Sequence, residues 1–351
     1  MSGGVDSSVA AALLHQQGYE VLGITLQLWG KDVCVSAGSR LCCSVRDALD
    51  AKAVAKRLGI PHETLELTEA FRTHVIDYFV ESYRESLTPN PCIACNNHIK
   101  FGELLAFAQQ RQVPLMATGH YARISHDEAS DRYQLQRALT TEKDQSYVLF
   151  GLTQQQLSRT LFPLGHLAKS HVRDIARDLG LVTAEKPDSQ DICFVRDRNK
   201  NGFLQQHLGE EEVPGPIVTR RGEILGQHQG LLGYTIGQRE GLGLAVGKPL
   251  YVVAMDQTKN QLVVGDREEL LQRQLIAERV NWVSIAPPQE PLRASAKIRS
   301  RHEPAAAMVT PKDPTTALVE FDEPQPAITP GQAVVFYDHD LVLGGGWIAR
   351  S

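Results

Sequence analysis

Apolar positions along the first half of the chain switch repeatedly between helical and strand spacing. After Asp6, Val9, Ala12 and Leu13 recur at helical intervals, and residues 21–28 then form a short, β-branched-rich run suited to a buried strand. Residues 48–58 read as a helix stopped by Gly59 and Pro61, residues 62–67 as a second strand, and residues 71–83 as a long amphipathic helix. Pro89-Asn90-Pro91 interrupts the pattern. A helix follows over 101–110, an apolar strand over 114–118, and a late helix over 169–179 closed by Gly180. Strands separated by helices of this length predict an α/β domain, a parallel sheet with helices on both faces.

The character changes after about residue 198. Glycines are dense between 202 and 265, where short apolar runs at 250–255 and 261–264 alternate with turns. From residue 275 onward no helical period survives. Short strands over 294–298, 317–321, 333–337 and 342–349 are separated by Pro, Gly and Asp clusters, the pattern of a small β-barrel. The expected organisation is residues 1–198, 199–268 and 269–351: an α/β domain, a small central domain and a C-terminal barrel.

Composition narrows the classes. The 351-residue chain carries a net charge of −5, with 22% charged and 42% hydrophobic residues, so it is an ordinary folded protein and not a basic nucleic-acid coat. A local basic groove remains compatible with that total. No apolar run approaches the roughly 18 residues of a membrane span. The opening residues lack the basic-then-apolar order of an export signal, so the expectation is a cytoplasmic protein with no membrane partner. Six cysteines are too few for a disulfide scaffold of this length and point to buried, metal-binding or catalytic thiols.

The most specific local signal is at the start. Ser2-Gly3-Gly4-Val5-Asp6-Ser7-Ser8 stands directly before a helix, where glycines let backbone N–H groups converge, serines add hydroxyl donors and the helix adds its positive end. This suits a pyrophosphate, although it is neither a Walker A loop nor a dinucleotide fingerprint. The loop resembles the SGGxDS loop of the PP-loop ATP pyrophosphatases, which cleave ATP to AMP and pyrophosphate while adenylating a substrate. A loop of this type hangs from a central strand, so an apolar strand of about five or six residues is expected upstream of Met1.

Cys92-Ile93-Ala94-Cys95 follows a rigid proline turn, and Cys193 lies almost a hundred residues later in Asp188-Ser189-Gln190-Asp191-Ile192-Cys193-Phe194. On spacing alone, the CxxC pair fits a redox disulfide, half a zinc site, part of an iron–sulfur site, or inert buried thiols. Cys34, Cys42 and Cys43 stay unassigned.

Six segments taken together are more informative. Residues 2–8, 88–101, 117–123, 143–147, 188–194 and 233–239 are similar, in order, to the motifs of the MnmA (TrmU) family of tRNA-specific 2-thiouridylases. That resemblance implies a PP-loop (adenine nucleotide alpha hydrolase-like) domain, a central domain and a β-barrel. It implies ATP bound on Ser2, Gly3, Gly4, Val5, Asp6 and Ser7, with Leu26 and Gly119 at adenosine-contacting positions, and Mg²⁺ assisting departure of pyrophosphate. Cys193 matches the cysteine that carries sulfur as a persulfide, supplied by a sulfur-relay protein or cysteine desulfurase, and Cys95 matches the nucleophile. The RNA partner is the anticodon loop of tRNA, with Asn90, Pro91, Cys92, His120, Lys143, Asp144, Gln145, Arg299, Ser300 and Gln332 at contact positions.

Two departures matter. Many members carry Asp where Cys92 stands, and a thiol is a poor substitute for that acid, its ordinary pKa being about 8.5 against 3.9. Cys92, Cys95 and Cys193 would also supply the three thiolates used by iron–sulfur-dependent tRNA thiolases, so a [4Fe–4S] cluster is an alternative expectation. Leu87 replaces an arginine common in the family, removing one basic contact. Outside the family, the competing readings are another PP-loop adenylating ligase, which needs no second cysteine, and a non-catalytic tRNA-binding or iron–sulfur carrier module that releases no pyrophosphate.

Overall fold

The structure, a computed structural model, describes residues 1–28, 45–188, 192–195, 199–209 and 213–350. Cys34, Cys42 and Cys43, and residues 189–191 of the Cys193 motif, lie outside the described residues.

Helix α1 (Val5–Gln16) starts the chain and is buried almost all round, with Val5, Ser8, Val9, Ala10, Ala11, Ala12 and Leu14 enclosed. A helix apolar on every side belongs inside a layer, and its alanines allow neighbours to approach closely. It packs with Val54 of α2 (Val45–Leu58) and with Val172 and Ala176 of a later helix. Strands β1 (Gly23–Gln27) and β2 (His62–Glu66) pair in parallel, Gly23 opposite His62 through Gln27 opposite Glu66. The chain then becomes mostly helical: α3 (Thr68–Phe71) runs through a π-helical segment, Arg72–Asp77, into α4 (Tyr78–Arg84). Likewise α5 (Pro91–Ala94) runs through a second π-helical segment, Cys95–Glu103, into α6 (Leu104–Gln110).

Strand β3 (Met116–Ala117) leads into a hairpin of β4 (Ala122–Asp127) and β5 (Arg132–Arg137). After α7 (Gln154–Leu157), β6 (Thr160–Leu161) returns parallel to β3, and α8 (Lys169–Asp178) closes this part of the chain. The expected parallel sheet is therefore present as two separate pairs, β1–β2 and β3–β6. Met1 lies beside β1: its amino group donates to the Ile24 carbonyl, and its carbonyl accepts from the Thr25 hydroxyl at 2.8 Å.

The central part holds α9 (Lys200–Leu208) and four strands, β7 (Gly215–Thr219), β8 (Ile224–His228), β9 (Tyr251–Asp256) and β10 (Gln261–Gly265), in the order β8-β7-β10-β9. Beyond it, β11 (Leu271–Asn281), β12 (Leu292–Lys297), β13 (Ala305–Asp313), β14 (Thr316–Pro326), β15 (Ala333–Asp338) and β16 (Leu341–Ile348) run β11-β14-β13-β12-β15-β16, and β16 pairs back to β11. Six strands thus close a barrel and remove its open edges.

The β4–β5 hairpin joins this barrel although more than 130 residues separate it from the barrel's last strands in sequence, with Gln136 opposite Leu341. One core therefore spans both regions: Leu135, Tyr147, Phe150 and Leu152 pack with Ala333, Val335, Tyr337 and Val342. Burying each such large apolar side chain contributes about 1.5–3 kcal/mol. The barrel is consequently seated firmly against the face of the α/β region that carries the cysteine helix and the hairpin. Among the described residues, no helix is long and apolar enough to cross a membrane.

Candidate active site

Ser2 to Ser8 form a tight loop running into α1. Gly3 adopts φ +70°, and a Cβ there would lie 2.2 Å from the Asp47 carbonyl oxygen, so both the backbone and the space require glycine. The Ser2 backbone N–H donates to Ser7 Oγ at 3.0 Å, and Ser8 Oγ donates to the Gly4 carbonyl at 2.8 Å. These local bonds hold the loop against the first turn of α1, and a glycine-containing loop at a helix N-terminus is an arrangement suited to an anion. Gly119 packs against the same loop: a Cβ on it would sit 2.7 Å from the Ser7 nitrogen.

Asp6 anchors the loop to the remainder of the site. Its Oδ1 accepts from the Tyr121 hydroxyl at 2.7 Å, and Lys169 Nζ donates to both oxygens at 2.7 and 2.8 Å. Burial and the Asp6 carboxylate push the Tyr121 phenol far upward, so it stays a proton donor. Lys169 also lies 2.9 Å from Asp188, whose carboxylate is further bound by Lys143 at 2.9 Å and Arg173 at 3.0 Å. Burial alone would raise the Asp188 carboxyl, but Lys143 and Lys169 outweigh it and hold the group below the usual range. Asp188 opens the segment that ends at Cys193, so the network ties the phosphate loop to the cysteine-bearing stretch.

Asn90 caps α5, accepting from the Ile93 N–H at 3.4 Å, and Pro91 occupies the first helical turn, where its missing N–H costs nothing. This fixes the CxxC pair on one helix. Cys92 is exposed, whereas Cys95 and Cys193 are half-buried, and none of the three is in a disulfide. Burial pushes the Cys95 thiol up, Lys100 pulls it down, and Cys92 adds a smaller upward push.

A continuous cleft of 3030 Å³ is lined by Ser2–Ser7, Leu26, Cys95, Gly119 and Cys193, together with Lys143–Gln145. Small-ligand pockets are typically about 300–1,000 Å³, so the volume leaves room for a nucleotide and part of a polymer beside it. The structure therefore brings both sulfur candidates and the phosphate loop to one space. Barrel residues reach the same cleft: Lys297, Ser300, Arg301 and His302 lie on its wall, on or just beyond β12.

The other expected contact residues divide. His120 lines the cleft but is 7% exposed; its Nδ1 lies 2.7 Å from Thr118 Oγ1 and its Nε2 3.4 Å from Lys100 Nζ. Burial, reinforced by Lys100, drives its pKa well below the ordinary value, so the imidazole is neutral. Lys143 is engaged with Asp188. Asp144 accepts from the Ser146 backbone and hydroxyl at 3.1 and 2.9 Å, and Gln145 accepts from the Tyr121 N–H at 3.0 Å. Arg299 donates to the Pro326 carbonyl at 3.4 Å, and Gln332 donates to the Thr88 and Pro89 carbonyls at 2.9 and 3.3 Å. Arg299, Gln332 and the Asn90–Cys92 turn do not line the cleft wall.

Sequence reasoning missed Lys100, Tyr121, Lys169, Arg173 and Asp188 as site residues. For Lys169 a signal existed. A lysine opening a helix opposes the helix dipole, which favours acids there, and so asks for a tertiary partner. No sequence pattern pairs Asp188 with Lys169 across the fold. The iron–sulfur expectation also meets the geometry here. Among the described residues no group of three or more Cys, His, Asp or Glu is placed to hold a metal ion, and Cys92 is off the wall that Cys95 and Cys193 share. The three thiols are thus not grouped as a metal ion's ligands among the described residues.

Comparison with known proteins gives the same picture. Residues 1–197 match the family model described as a tRNA methyl transferase HUP domain, 201–266 a tRNA methyl transferase PRC-barrel domain, and 272–348 an aminomethyltransferase beta-barrel domain. The chain is 51% identical over 348 residues to the tRNA-specific 2-thiouridylase MnmA of Moorella thermoacetica, covering 99% of this chain and 98% of that protein. It is 50% identical over 353 residues to the MnmA of Heliobacterium modesticaldum, covering 100% and 91%, and 48% identical over 351 residues to that of Clostridioides difficile, covering 100% and 97%. With a phosphate loop and two separated cysteines on one cleft, and full-length identity near one half, the chain belongs to the MnmA family of tRNA-specific 2-thiouridylases.

Proposed function

We propose that the protein is a tRNA-uridine 2-sulfurtransferase that uses ATP to exchange the C2 oxygen of the wobble uridine for sulfur. The observation carrying this reading is that the Ser2–Ser7 loop, Cys95 and Cys193 line one cleft. Oxygen at C2 is a very poor leaving group. Attack of that oxygen on the α-phosphorus of ATP releases pyrophosphate and leaves an O-adenylate, whose departing group is AMP. The N–H groups of the phosphate loop and the end of α1 favour the charge building on pyrophosphate. Mg²⁺ would be held chiefly by the phosphates and water, as this ion often is, because Lys169 already engages both oxygens of Asp6, the carboxylate of that loop. The bound ion would neutralise part of the phosphate charge.

Sulfur arrives on Cys193 as a persulfide from a relay protein or cysteine desulfurase. The terminal sulfur attacks C2, AMP leaves, and tRNA is joined to Cys193 through an S–S bond. The Cys95 thiolate then attacks Cys193 Sγ, forming the Cys95–Cys193 disulfide and releasing 2-thiouridine. Two thiols are oxidised as the transferred sulfur is reduced, and an external thiol reductant resets the pair. If Cys95 attacks first, hydrosulfide is released and reaches C2 itself, with the same balance. A cluster on Cys92, Cys95 and Cys193 has no converging ligand set in support, so the two-cysteine route is preferred.

The RNA-facing side is assigned to the barrel residues Arg299 and Ser300, to His120, and to Lys143, Asp144 and Gln145 at the mouth. Asn90, Pro91, Cys92 and Gln332 form the turn and its brace. An anticodon base is already single-stranded, so drawing it into the cleft costs only a few kcal/mol. The test is incubation with unmodified tRNA, ATP and a persulfide donor, followed by nucleoside mass analysis and pyrophosphate assay. Expected are 2-thiouridine from the wild type and its loss in Cys95→Ser and Cys193→Ser. Folded, tRNA-binding protein that makes no 2-thiouridine overturns the reading. Turnover retained by both serine variants would point to a ligase of another kind.

A further inference from the structure

The helical stretch carrying Cys95 changes its winding at that residue. From Cys95 to Glu103 the turn is π-helical, closing on the Leu104 N–H bond to the Ile99 carbonyl. At 3.6 residues per turn, positions i and i+5 point about 140° apart. Wider turns closed by i to i+5 bonds bring those two positions close to one face, and such segments recur at functional sites. The cleft wall records this register: Cys95, Lys100, Leu104, Phe107, Ala108 and Arg111 line it, a five-residue step followed by ordinary helical steps. The opposite face, Asn96, Ile99, Phe101 and Leu105, is buried. An α-helical turn here would have aimed Lys100 away from Cys95.

Lys100 is one of several cleft cations, with Arg46, Lys297 and Arg301, that have no ion pair among the described residues, and of these it is the one carried by the Cys95 helix. Lys143, Lys169, Lys186 and Arg111 each face a carboxylate: Asp188, Asp6, Asp47 and Glu63. Among the described residues Lys100 makes no ion pair, and its hydrogen-bond partner is the neutral imidazole of His120. An ammonium can only donate, so His120 accepts at Nε2 and donates from Nδ1 to Thr118 Oγ1. Thr118 and His120 thus hold the Lys100 head without neutralising it. The result is an uncompensated positive charge, fixed beside the Cys95 sulfur and open to the cleft.

We propose that Lys100 is a further functional residue of this site, a cation turned by the π-helical step onto the Cys95 face to receive anionic sulfur there, as thiolate, persulfide or hydrosulfide. This rests on the reading of Cys95 as a sulfur-handling nucleophile. Thr118 and His120 are its positioning residues. Placing a fixed charge where an anion must form is favourable because nothing has to reorganise when it appears.

The test compares two alkylating agents on the full chain at one pH, with modification of Cys95 followed by peptide mass analysis. Iodoacetate and iodoacetamide both need the Cys95 thiolate, but only iodoacetate is anionic, so their rate ratio reports the local charge and cancels the thiol's own ionisation. Replacing Lys100 with Met or with Gln should lower the iodoacetate-to-iodoacetamide ratio about fivefold, the size expected for one nearby charge partly screened by water. Lys100→Arg should keep it within about twofold. Added salt should reduce the wild-type ratio, a measurement that needs no variant to fold. A ratio unchanged in folded Lys100→Met or Lys100→Gln, or a wild-type ratio flat with salt, overturns the proposal. Neither reagent uses ATP or tRNA, so this outcome is independent of thiolation. Conversely, Cys95→Ser retaining 2-thiouridine formation would remove the reading beneath it and leave the charge measurement standing.

Discussion

Lys169 grips Asp6 with one ammonium on both carboxylate oxygens, at 2.7 and 2.8 Å, while lying 2.9 Å from Asp188. Only 14% of its side chain is exposed, so solvent screens these contacts weakly. Two acids that would repel each other are thereby held together, one on the phosphate loop and one at the head of the Cys193 segment. Lys169→Met should leave both carboxylates facing each other. The expected loss is about 1.5–3 kcal/mol of folding stability, the range for hydrogen bonds to charged groups. Urea unfolding of the variant measures that loss. Pyrophosphate release should fall at least about tenfold even where the variant is fully folded, because the loop loses its anchor. Normal pyrophosphate release from a folded Lys169→Met protein would show that Asp6 needs no such anchor.

Gly119 offers a narrower probe of the same loop. Its backbone runs so close to α1 that a Cβ would meet the Ser7 nitrogen at 2.7 Å and the Asp6 carbonyl carbon at 2.8 Å. These are backbone atoms and cannot swing aside. Gly119→Ala should push the phosphate loop outward, because the added methyl meets the loop's backbone and not the apolar side chains packed around α1. Overpacking of one methyl costs about 1–3 kcal/mol, which corresponds to roughly tenfold weaker ATP binding. Calorimetric titration with ATP on protein of unchanged circular dichroism checks it.

How far these features could be read in advance depends on their range in sequence. The phosphate loop was legible because its chemistry is local: glycines, serines and a helix start within seven residues. The C-terminal β character was legible because β15 and β16 carry continuous apolar runs. By contrast, β4 and β5 are mostly polar, with few apolar residues around an exposed turn, and they become strands of the barrel sheet only through pairing with β16. The contact between Gln136 and Leu341 has no local signature. The π-helical step was equally invisible, since an apolar pattern at 101–110 is satisfied by an α-helix of ordinary pitch. Ion pairs such as Lys169 with Asp6 are set by the fold and not by spacing, which is why Lys169, Arg173 and Asp188 escaped notice while the glycines and cysteines of the site did not.

Gln332 connects the barrel to the turn preceding the CxxC pair. Its amide donates to the Thr88 and Pro89 carbonyls, and neighbouring Gly331, at φ +85°, is pressed against Leu87 and Thr88 so closely that a Cβ would lie 2.8 and 2.9 Å away. Gln332→Leu should strand both carbonyls and cost about 1–3 kcal/mol. The effect should localise: hydrogen exchange should quicken over residues 87–95 while the barrel strands remain protected. If exchange is unchanged there and only tRNA affinity falls, Gln332 acts on RNA directly and not through the turn.

Lys200 supplies a pH-dependent prediction. Its ammonium is half-buried over the Tyr83 ring, 4.6 Å from the centroid, with the Tyr83 hydroxyl at 3.4 Å. Burial lowers its pKa from 10.5 to about 8, whereas burial pushes Tyr83 up to about 12 and keeps the phenol neutral throughout. Between pH 8 and 10.5 the unfolded chain therefore binds more protons at this residue than the folded one, so stability contributed here rises with pH across that window. Below pH 8 both states are protonated and the folded protein carries the full cost of the buried charge. The lowered pKa amounts to about 3 kcal/mol, offset by about 1 kcal/mol of cation–π attraction. Lys200→Met should therefore stabilise the protein by about 2 kcal/mol at pH 7, and the advantage should shrink towards zero near pH 10. Urea midpoints of both proteins at pH 7 and pH 10 give the double difference, in which other titrating groups cancel. A variant less stable than wild type at pH 7 would mean that the attraction to Tyr83 exceeds the cost of burying the charge.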